Sequence, residues 1–277
     1  MLTSRELSRP WQEIGDRVFV RRYELFDQTI GVVIGAEGVV VIDTRASHRR
    51  ADELIGDLRE LTRLPIAFVV NTHMHFDHTF GNARFRPAPV WGHVRCAAGM
   101  REGGEAKRRQ VMERLPELAD ELAEVEIVPP DQVFSDSAVL DLGDRQLELR
   151  FLGRGHTDND LVVLVPDARV LFAGDLLENG APPSFGDAFP LAWAETGVRL
   201  LDLVEGAVAP GHGEVADRRF AAQQVGALAA LADLCRASVA GQIGVDEAVR
   251  RSPFPADTTR VALDRAMREI EESRSSG

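Results

Sequence analysis

Hydrophobic and polar positions in the first half of the chain alternate between short branched apolar runs and one longer segment with helical spacing. The apolar runs predict three strands, at 17–23, 29–35 and 38–43, with a hairpin turn between the last two. Residues 47–62 place leucines at helical intervals and predict a helix, and the apolar run 65–70 predicts a buried strand. This order of strands and helix predicts an α/β fold, a sheet with helices on its face.

The same order recurs in the second half. A strand is predicted at 89–93 and a charged helix at 104–125. Successive apolar runs between 132 and 172 predict four strands, at 139–142, 147–151, 161–165 and 170–172. Helical spacing then predicts three C-terminal helices, at about 217–237, 244–250 and 257–272.

Composition narrows the class of protein. The 277 residues are 44% hydrophobic and 27% charged, as in a soluble globular protein of one or two domains. The formal net charge of −12 argues against a nucleic-acid partner, whose phosphates require basic surfaces. The two cysteines form no C-x-x-C pair, residues 1–11 lack the apolar core of a secretion signal, and no window is long and apolar enough for a membrane span. We therefore expect a cytoplasmic protein without a membrane partner, and the strong preference for arginine over lysine hints at a bacterial source.

The chemistry concentrates directly after the predicted strand 65–70. Three of the seven histidines fall within six residues, in a pattern H-x-H-x-D-H made by His73, His75, Asp77 and His78. Imidazole nitrogen and carboxylate oxygen at this density suit a divalent metal, and a strand end gives such ligands a rigid mount.

Three further candidates follow predicted strands or apolar runs, each beside glycine. These are His156 in Gly-His-Thr, Asp175 in Gly-Asp and His212 in Pro-Gly-His-Gly. Strand ends that point toward one edge of a sheet can bring such distant residues together, as open sheets do at their ligand sites.

These motifs, in this order and spacing, resemble those of the metallo-β-lactamase superfamily of hydrolases. The resemblance covers about residues 15–215, and it implies a four-layer αββα sandwich within a single domain, 1–277, that ends in the helices of about 217–272. It implies that His73, His75 and His156 bind one metal, that Asp77, His78 and His212 bind a second, and that Asp175 bridges both. The bridging aspartate is similar to the glyoxalase II-like and general hydrolase branches, whereas true zinc β-lactamases usually carry cysteine there.

The implied cofactor is two Zn²⁺ ions, although these ligands also suit iron or manganese. Such a pair shares a bridging hydroxide that can attack a carbonyl carbon, and Asp77 is expected to pass a proton to the leaving group. The predicted activity is hydrolysis of a small ester, thioester or lactone. Two alternatives stay open, a persulfide dioxygenase-like oxidoreductase with one iron and a non-catalytic binding protein. The expected partner is a small-molecule substrate. The sequence does not decide between a monomer and a homo-oligomer.

Other side chains near these motifs have predicted supporting roles. Asp43 and Thr157 are candidates to orient ligand imidazoles through the second ring nitrogen. The segment 180–193 mixes proline, glycine and large apolar groups. It is either a packed loop or a substrate wall that would be formed by Phe185, Phe189 and Trp193, with Phe26 as a weaker candidate for the opposite wall.

Overall fold

The computed structural model describes residues 10–275 and has β-strands at its centre with helices on both outer faces. Residues 1–9, most of the segment predicted to lack a secretion signal, lie outside the described part. The N-terminal half contributes strands β1 (Gln12–Gly15), β2 (Val18–Tyr23), β3 (Gln28–Ile34), β4 (Val39–Ile42), β5 (Ile66–Val70), β6 (Val90–His93) and β7 (Gln132–Phe134). The C-terminal half contributes β8 (Ser137–Asp141), β9 (Gln146–Phe151), β10 (Leu161–Val165), β11 (Val170–Asn179) and β12 (Val208–Gly213).

The helices fall into two sets. The N-terminal set is α1 (His48–Leu61), α2 (Phe76–Thr79), α3 (Val94–Arg114) and α4 (Ala119–Ala123). The C-terminal set is α5 (Pro190–Leu201), α6 (Arg218–Val239), α7 (Val245–Arg251) and α8 (Ala256–Ser275). In α1 the Ser47 hydroxyl accepts a hydrogen bond from the Arg50 amide and so caps the first turn.

Strand pairing runs β7-β6-β5-β4-β3-β12-β11-β10-β9-β8. In addition, β2 pairs with β3, and β1 pairs with β2. The two half-sheets meet at β3 and β12, where the only aligned pair is Gln28 with His212. Within the C-terminal half, β11 and β12 are parallel while the remaining pairs are antiparallel. This junction therefore brings the last strand of one half against the third strand of the other.

Apolar residues on both faces of the strands create the four layers. In β4, Val40 and Ile42 pack between the two half-sheets, whereas Val39 and Val41 pack outward in a cluster with α1. In the C-terminal half, Val163 points into the same central cluster while its neighbour Val162 points toward the C-terminal helices. Because successive side chains of a strand alternate between its faces, such uninterrupted apolar runs mark strands that are buried on both sides. The predicted αββα sandwich is confirmed.

Most predicted elements match observed ones, with two instructive differences. The predicted helix 104–125 begins ten residues earlier, as α3, and ends at Arg114 because Pro116 cannot continue the backbone hydrogen-bond pattern. The segment 190–201, partly assigned to a loop, forms α5 with Pro190 in its first turn, a favoured position for proline. Within the described residues, no helix is long and apolar enough to cross a membrane.

Candidate metal centre

Four chain segments converge where the two half-sheets meet. The loop after β5 and the short helix α2 carry the H-x-H-x-D-H motif, and the loop after β9 carries His156. Asp175 and His212 were predicted to follow strands, but they lie within β11 and β12. The pairing of β11 with β12 is irregular near Gly174, and both strands continue beyond this irregularity. Asp175 and His212 are therefore inside the strands.

The first group of donors consists of His73, His75, His156 and Asp175. Their donor atoms lie within 4.8 Å of one another. His75 Nδ1 lies 3.0 Å from His73 Nε2 and 2.9 Å from His156 Nε2. Asp175 Oδ2 lies 3.6 Å from His73 Nε2 and 3.3 Å from His156 Nε2.

The second group consists of Asp77, His78 and His212, and it also approaches Asp175. His78 Nε2 lies 3.2 Å from His212 Nε2 and 3.5 Å from Asp77 Oδ2. Asp175 offers both carboxylate oxygens here, with Oδ1 3.4 Å from His78 Nε2 and Oδ2 3.3 Å from His212 Nε2. One carboxylate therefore touches both groups.

These separations fit two four-coordinate metal ions. Ligands at about 2.0–2.1 Å from a tetrahedral ion lie about 3.3 Å from each other, close to the distances found within each group. The Asp175 carboxylate is buried, and its Oδ1 accepts no hydrogen bond from the residues that the structure describes. A buried carboxylate oxygen without a donor is costly unless a cation compensates it, so the donor set fits a metal centre.

Two glycines permit this approach. Gly174 adopts a left-handed backbone with φ of 52°, a conformation that favours glycine over other residues. At Gly211 a Cβ atom would lie only 1.9 Å from Asp175 Oδ1, so a larger residue would displace the carboxylate. The glycines beside the predicted ligands thus have a steric role.

A buried hydrogen-bond chain orients two of the imidazoles. Asp43 Oδ2 lies 2.8 Å from His78 Nδ1 and accepts from the Thr72 hydroxyl at 2.9 Å. That hydroxyl in turn lies 3.1 Å from His73 Nδ1. Asp43 has φ of 67°, and such strained backbone is typical of functional positions. The chain leaves both Nε2 atoms facing the centre.

Two more imidazoles have a hydrogen-bond partner at the ring nitrogen that faces away from the other donors. His75 Nε2 lies 2.9 Å from the carboxylate of Asp187, and His212 Nδ1 donates to the carbonyl of Phe26 at 2.7 Å. Phe26 is also left-handed, with φ of 63°. Asp187 was not predicted; the only signal in the sequence was an acidic residue inside the singled-out segment between two ligand motifs.

His156 differs from the other four because its Nδ1 has no hydrogen-bond partner among the described residues. The nearest acceptor is Glu178 Oε1, at 4.0 Å. Burial, helped by the charge of Asp175, raises the pKa of Glu178 to about 8. Thr157, predicted to orient an imidazole, instead donates to Asp160 Oδ1 at 2.8 Å and shapes the loop that carries His156.

The imidazoles of the two donor groups differ in their pKa values. Burial lowers the pKa of His156 to about 4 and the pKa of His73 well below its ordinary value, so both imidazoles are neutral and able to bind a metal. Burial acts the same way on His78, but the carboxylates of Asp175, Asp77 and Asp43 outweigh it and raise its pKa to about 9. The pKa of His212 is raised well above its ordinary value, against burial, by Asp175 and Asp77.

A cleft of about 310 Å³ opens over the centre. We call it the metal cleft. Besides five of the seven donor residues, the cleft is lined by two cationic side chains, two acidic ones and four others: Lys107, Arg114, Asp27, Glu178, Phe26, Phe76, Ala181 and Ser184. Phe26 therefore lies where the opposite wall was predicted.

The aromatic substrate wall predicted in 180–193 needs correction. Trp193 is fully buried and Phe185 is 2% exposed, and both belong to the apolar cluster under the C-terminal helices. The Trp193 ring packs 5.6 Å from the His156 ring, so it supports that ligand from behind. Phe189 is half-buried, lies under the Arg154 guanidinium and does not line the cleft.

Comparison with known proteins agrees with this architecture. The family model described as the metallo-beta-lactamase superfamily matches residues 24–212. The chain is 30% identical over 228 residues to the acyl-coenzyme A thioesterase MBLAC2 of Bos taurus, covering 73% of this chain and 80% of that protein.

Two solved structures share the fold. A metallo-beta-lactamase from Pontibacter korlensis has a TM-score of 0.65 at 22% identity and covers 79% of this chain and 98% of its own. A double mutant of the sec-alkyl sulfatase PisA1 has a TM-score of 0.76 at 15% identity and covers 95% of this chain and 50% of its own. Since the family model spans well over half of the sequence, and the donor groups lie where its motifs converge, the chain belongs to the metallo-beta-lactamase superfamily.

Proposed function

We propose that this protein is a hydrolase of thioesters that works with two zinc ions held by the seven donor residues. The observation that carries the proposal is the position of Asp175, whose carboxylate approaches both donor groups within 3.3–3.6 Å. When bound, a pair of divalent ions supplies Lewis acidity and lowers the pKa of water from 15.7 to about 7.

The chain's own residues then determine how a substrate can react. Neutral His73 and His156, with His75, form a face of three imidazoles on one side of Asp175. Asp77 lies on the other side, 3.4 Å from His212 Nε2, and lines the metal cleft. Its carboxylate is therefore placed to take up a proton and deliver it to a departing group.

Two features favour a thioester among the possible carbonyl substrates. The acyl-coenzyme A thioesterase MBLAC2 is a relative at 30% identity. Lys107 and Arg114 also place two positive side chains at the cleft of a chain whose net charge is −12. Cations in such an acidic protein would attract an anionic carrier such as coenzyme A. Asp175 in place of the usual cysteine argues against β-lactams as the main substrate.

The test is a hydrolysis screen with zinc-loaded protein. Release of free thiol is followed with acetyl-, octanoyl- and dodecanoyl-coenzyme A and with S-lactoylglutathione, beside a lactone and a chromogenic cephalosporin. We expect thioesters to give the highest kcat/KM. Faster turnover of the lactone or the cephalosporin, or oxygen uptake with glutathione persulfide in place of hydrolysis, would overturn the proposal.

Asp77→Asn tests the proton-transfer step within the same screen. Because Asp77 is also a donor of the second group, the variant is measured at zinc concentrations that saturate both sites; there we still expect kcat to fall by about 10²–10⁴-fold, the usual range for a general acid or base. Glu117→Gln is the matched control, because Glu117 is exposed and lies outside the cleft. Full turnover by Asp77→Asn with full zinc content would remove this role.

A further inference from the structure

A second cavity adjoins the metal cleft and has a different character. It measures about 470 Å³, within the range of about 300–1,000 Å³ that is usual for small-molecule sites. Its walls are mostly apolar: Met74, Phe80, Met100 and Ala106, together with Gly99, Gly103 and Gly104. We call it the apolar cavity.

The two cavities are neighbours that share part of their walls. His75 and Lys107 line both the apolar cavity and the metal cleft. A molecule whose reactive carbonyl lies at the donor groups can therefore extend past His75 into the apolar cavity. Lys107, the only lysine of the sequence, lies at the junction.

Two glycines of helix α3 shape the cavity: Gly99 lets the Met74 sulfur approach to 2.6 Å from where a Cβ atom would lie, and Gly103 leaves space open. Gly99 and Gly103 are four residues apart and so share a helix face. Glycine is unfavourable in a helix interior, so this pair weakens α3 while it leaves the space open. A Cβ atom at Gly103 would meet no atom within 4 Å.

Two apolar side chains of the wall have fixed positions. Phe80, just after α2, is 1% exposed and Met100, on α3, is 3% exposed, so both are buried in the protein and do not depend on a ligand for their position. Methionine walls adapt to flexible apolar groups, and Met74 adds a second thioether to this surface. A preformed apolar space next to a reactive centre suits an unbranched hydrocarbon chain.

We propose that the apolar cavity binds the aliphatic acyl chain of the substrate, which makes the enzyme selective for medium- and long-chain acyl thioesters. This inference rests on the proposed function. The same chain could enter as part of an alkyl sulfate, so dodecyl sulfate is included as a competing substrate. We expect the acyl thioester, because the cations of the cleft favour a large anionic carrier.

The first experiment measures kcat/KM of zinc-loaded protein for coenzyme A thioesters with acyl chains of two to twelve carbons. We expect a rise of about tenfold or more from butanoyl to dodecanoyl, since each buried methylene contributes favourably to binding. A flat dependence on chain length would overturn the inference and leave thioester hydrolysis standing. Sulfate release from dodecyl sulfate faster than thiol release from dodecanoyl-coenzyme A would overturn both.

The second experiment fills the cavity from helix α3. Gly103→Leu and Gly103→Phe should lower the ratio of dodecanoyl to acetyl kcat/KM by about tenfold or more. Gly56→Leu is the matched control: Gly56 lies in α1, is exposed, and its Cβ would likewise meet nothing within 4 Å. An unchanged ratio in both Gly103 variants would contradict the inference.

A binding measurement separates this inference from the proposed function. Calorimetric titration with dodecanoate requires no turnover, and we expect Gly103→Phe to weaken binding by about tenfold relative to wild type and Gly56→Leu. If no thioester is hydrolysed but this difference is found, the proposed function fails and the apolar cavity remains a site for an aliphatic chain. Equal binding by all three proteins would exclude such a site.

Discussion

The two donor groups share Asp175 but differ in charge and in what holds them. The first group presents three imidazoles, two of them with lowered pKa values. The second presents Asp77 with two imidazoles whose pKa values are raised by surrounding carboxylates. In the first group His73 and His156 can accept a cation as they stand, and only His75 has a raised pKa, because Asp187 outweighs its burial. Both imidazoles of the second group have raised pKa values, so a cation must displace more protons there.

The two proposed zinc sites are therefore not equivalent. Their outer contacts differ as well: Asp187 lies behind His75 of the first group, whereas Asp43 contacts His78 of the second group directly and reaches His73 of the first only through the Thr72 hydroxyl. Removal of the Asp187 charge should therefore weaken the first site alone, and removal of the Asp43 charge should weaken mainly the second. Changes at the shared carboxylate should affect both.

The largest effect is expected from Asp175→Asn. The amide keeps the size of the side chain but removes the negative charge that both groups share, so both ions should bind more weakly. We expect kcat/KM to fall by at least about a thousandfold, since each loss of about 1.4 kcal/mol in transition-state stabilisation costs tenfold. Retention of two ions and of more than a tenth of the activity would contradict the shared role.

A sharper test compares His156→Ala with His212→Ala. Each substitution removes one imidazole from one group only, so each variant should retain one tightly bound ion. Elemental analysis after dialysis should give about one zinc per chain in both, against two in the wild type. If either variant lost both ions or kept both, the division into two groups would be wrong.

A smaller effect is expected from the outer carboxylates. Asp187→Asn should weaken only the ion of the first group, by about 10- to 100-fold. Asp43→Asn should weaken the ion of the second group by a similar factor and the ion of the first group less, because Asp43 reaches His73 only through Thr72. Competition with a chromogenic chelator resolves the two affinities, and Asp120→Asn, on an exposed residue of α4, is the control. Weakening of the second ion by Asp187→Asn would contradict this assignment of the outer carboxylates.

The mildest perturbation alters only the pH and leaves every side chain in place. The raised pKa of His78, about 9, means that its imidazole is protonated at pH 7 without a metal, so binding of the second ion must release protons. The affinity for that ion should therefore fall as pH decreases from 9 to 6, by up to about tenfold per unit for each proton released. The first ion should respond less, because only His75 among its imidazoles has a raised pKa, while His156, with a pKa of about 4, is neutral throughout that window. Calorimetry in buffers of different ionisation enthalpy counts the protons, and equal release for both ions would refute the assignment.

The sequence predicted the parts of the centre that depend on local pattern. His73, His75, Asp77 and His78 are close in sequence after an apolar strand, so their proximity needed no tertiary information. The apolar runs and the helical spacing predicted a sheet with helices on its face, whereas the four-layer sandwich was implied by the resemblance of the motifs to the metallo-β-lactamase superfamily. The clustering of the motif residues and the hydrophobic periodicity are both local signals, so each can be recognised without knowledge of the tertiary structure.

Other features depended on contacts between distant segments. Asp187 reaches His75 across 112 residues, and nothing local marks it as a partner. An aromatic residue in such a segment suits either a cleft wall or a core. For Trp193, which lies on α5, only its packing in the apolar cluster formed with α6 and α8 decides between the two. The apolar cavity likewise arises from glycines on α3 meeting Met74, a contact that no motif announces.

Anomalous diffraction at the zinc edge from crystals grown with zinc tests the central claim most directly. Two peaks about 3.5–4 Å apart are predicted, one among His73, His75 and His156 and the other among Asp77, His78 and His212, with Asp175 between them. A single peak under saturating zinc, or peaks that leave Asp175 uncoordinated, would contradict the account.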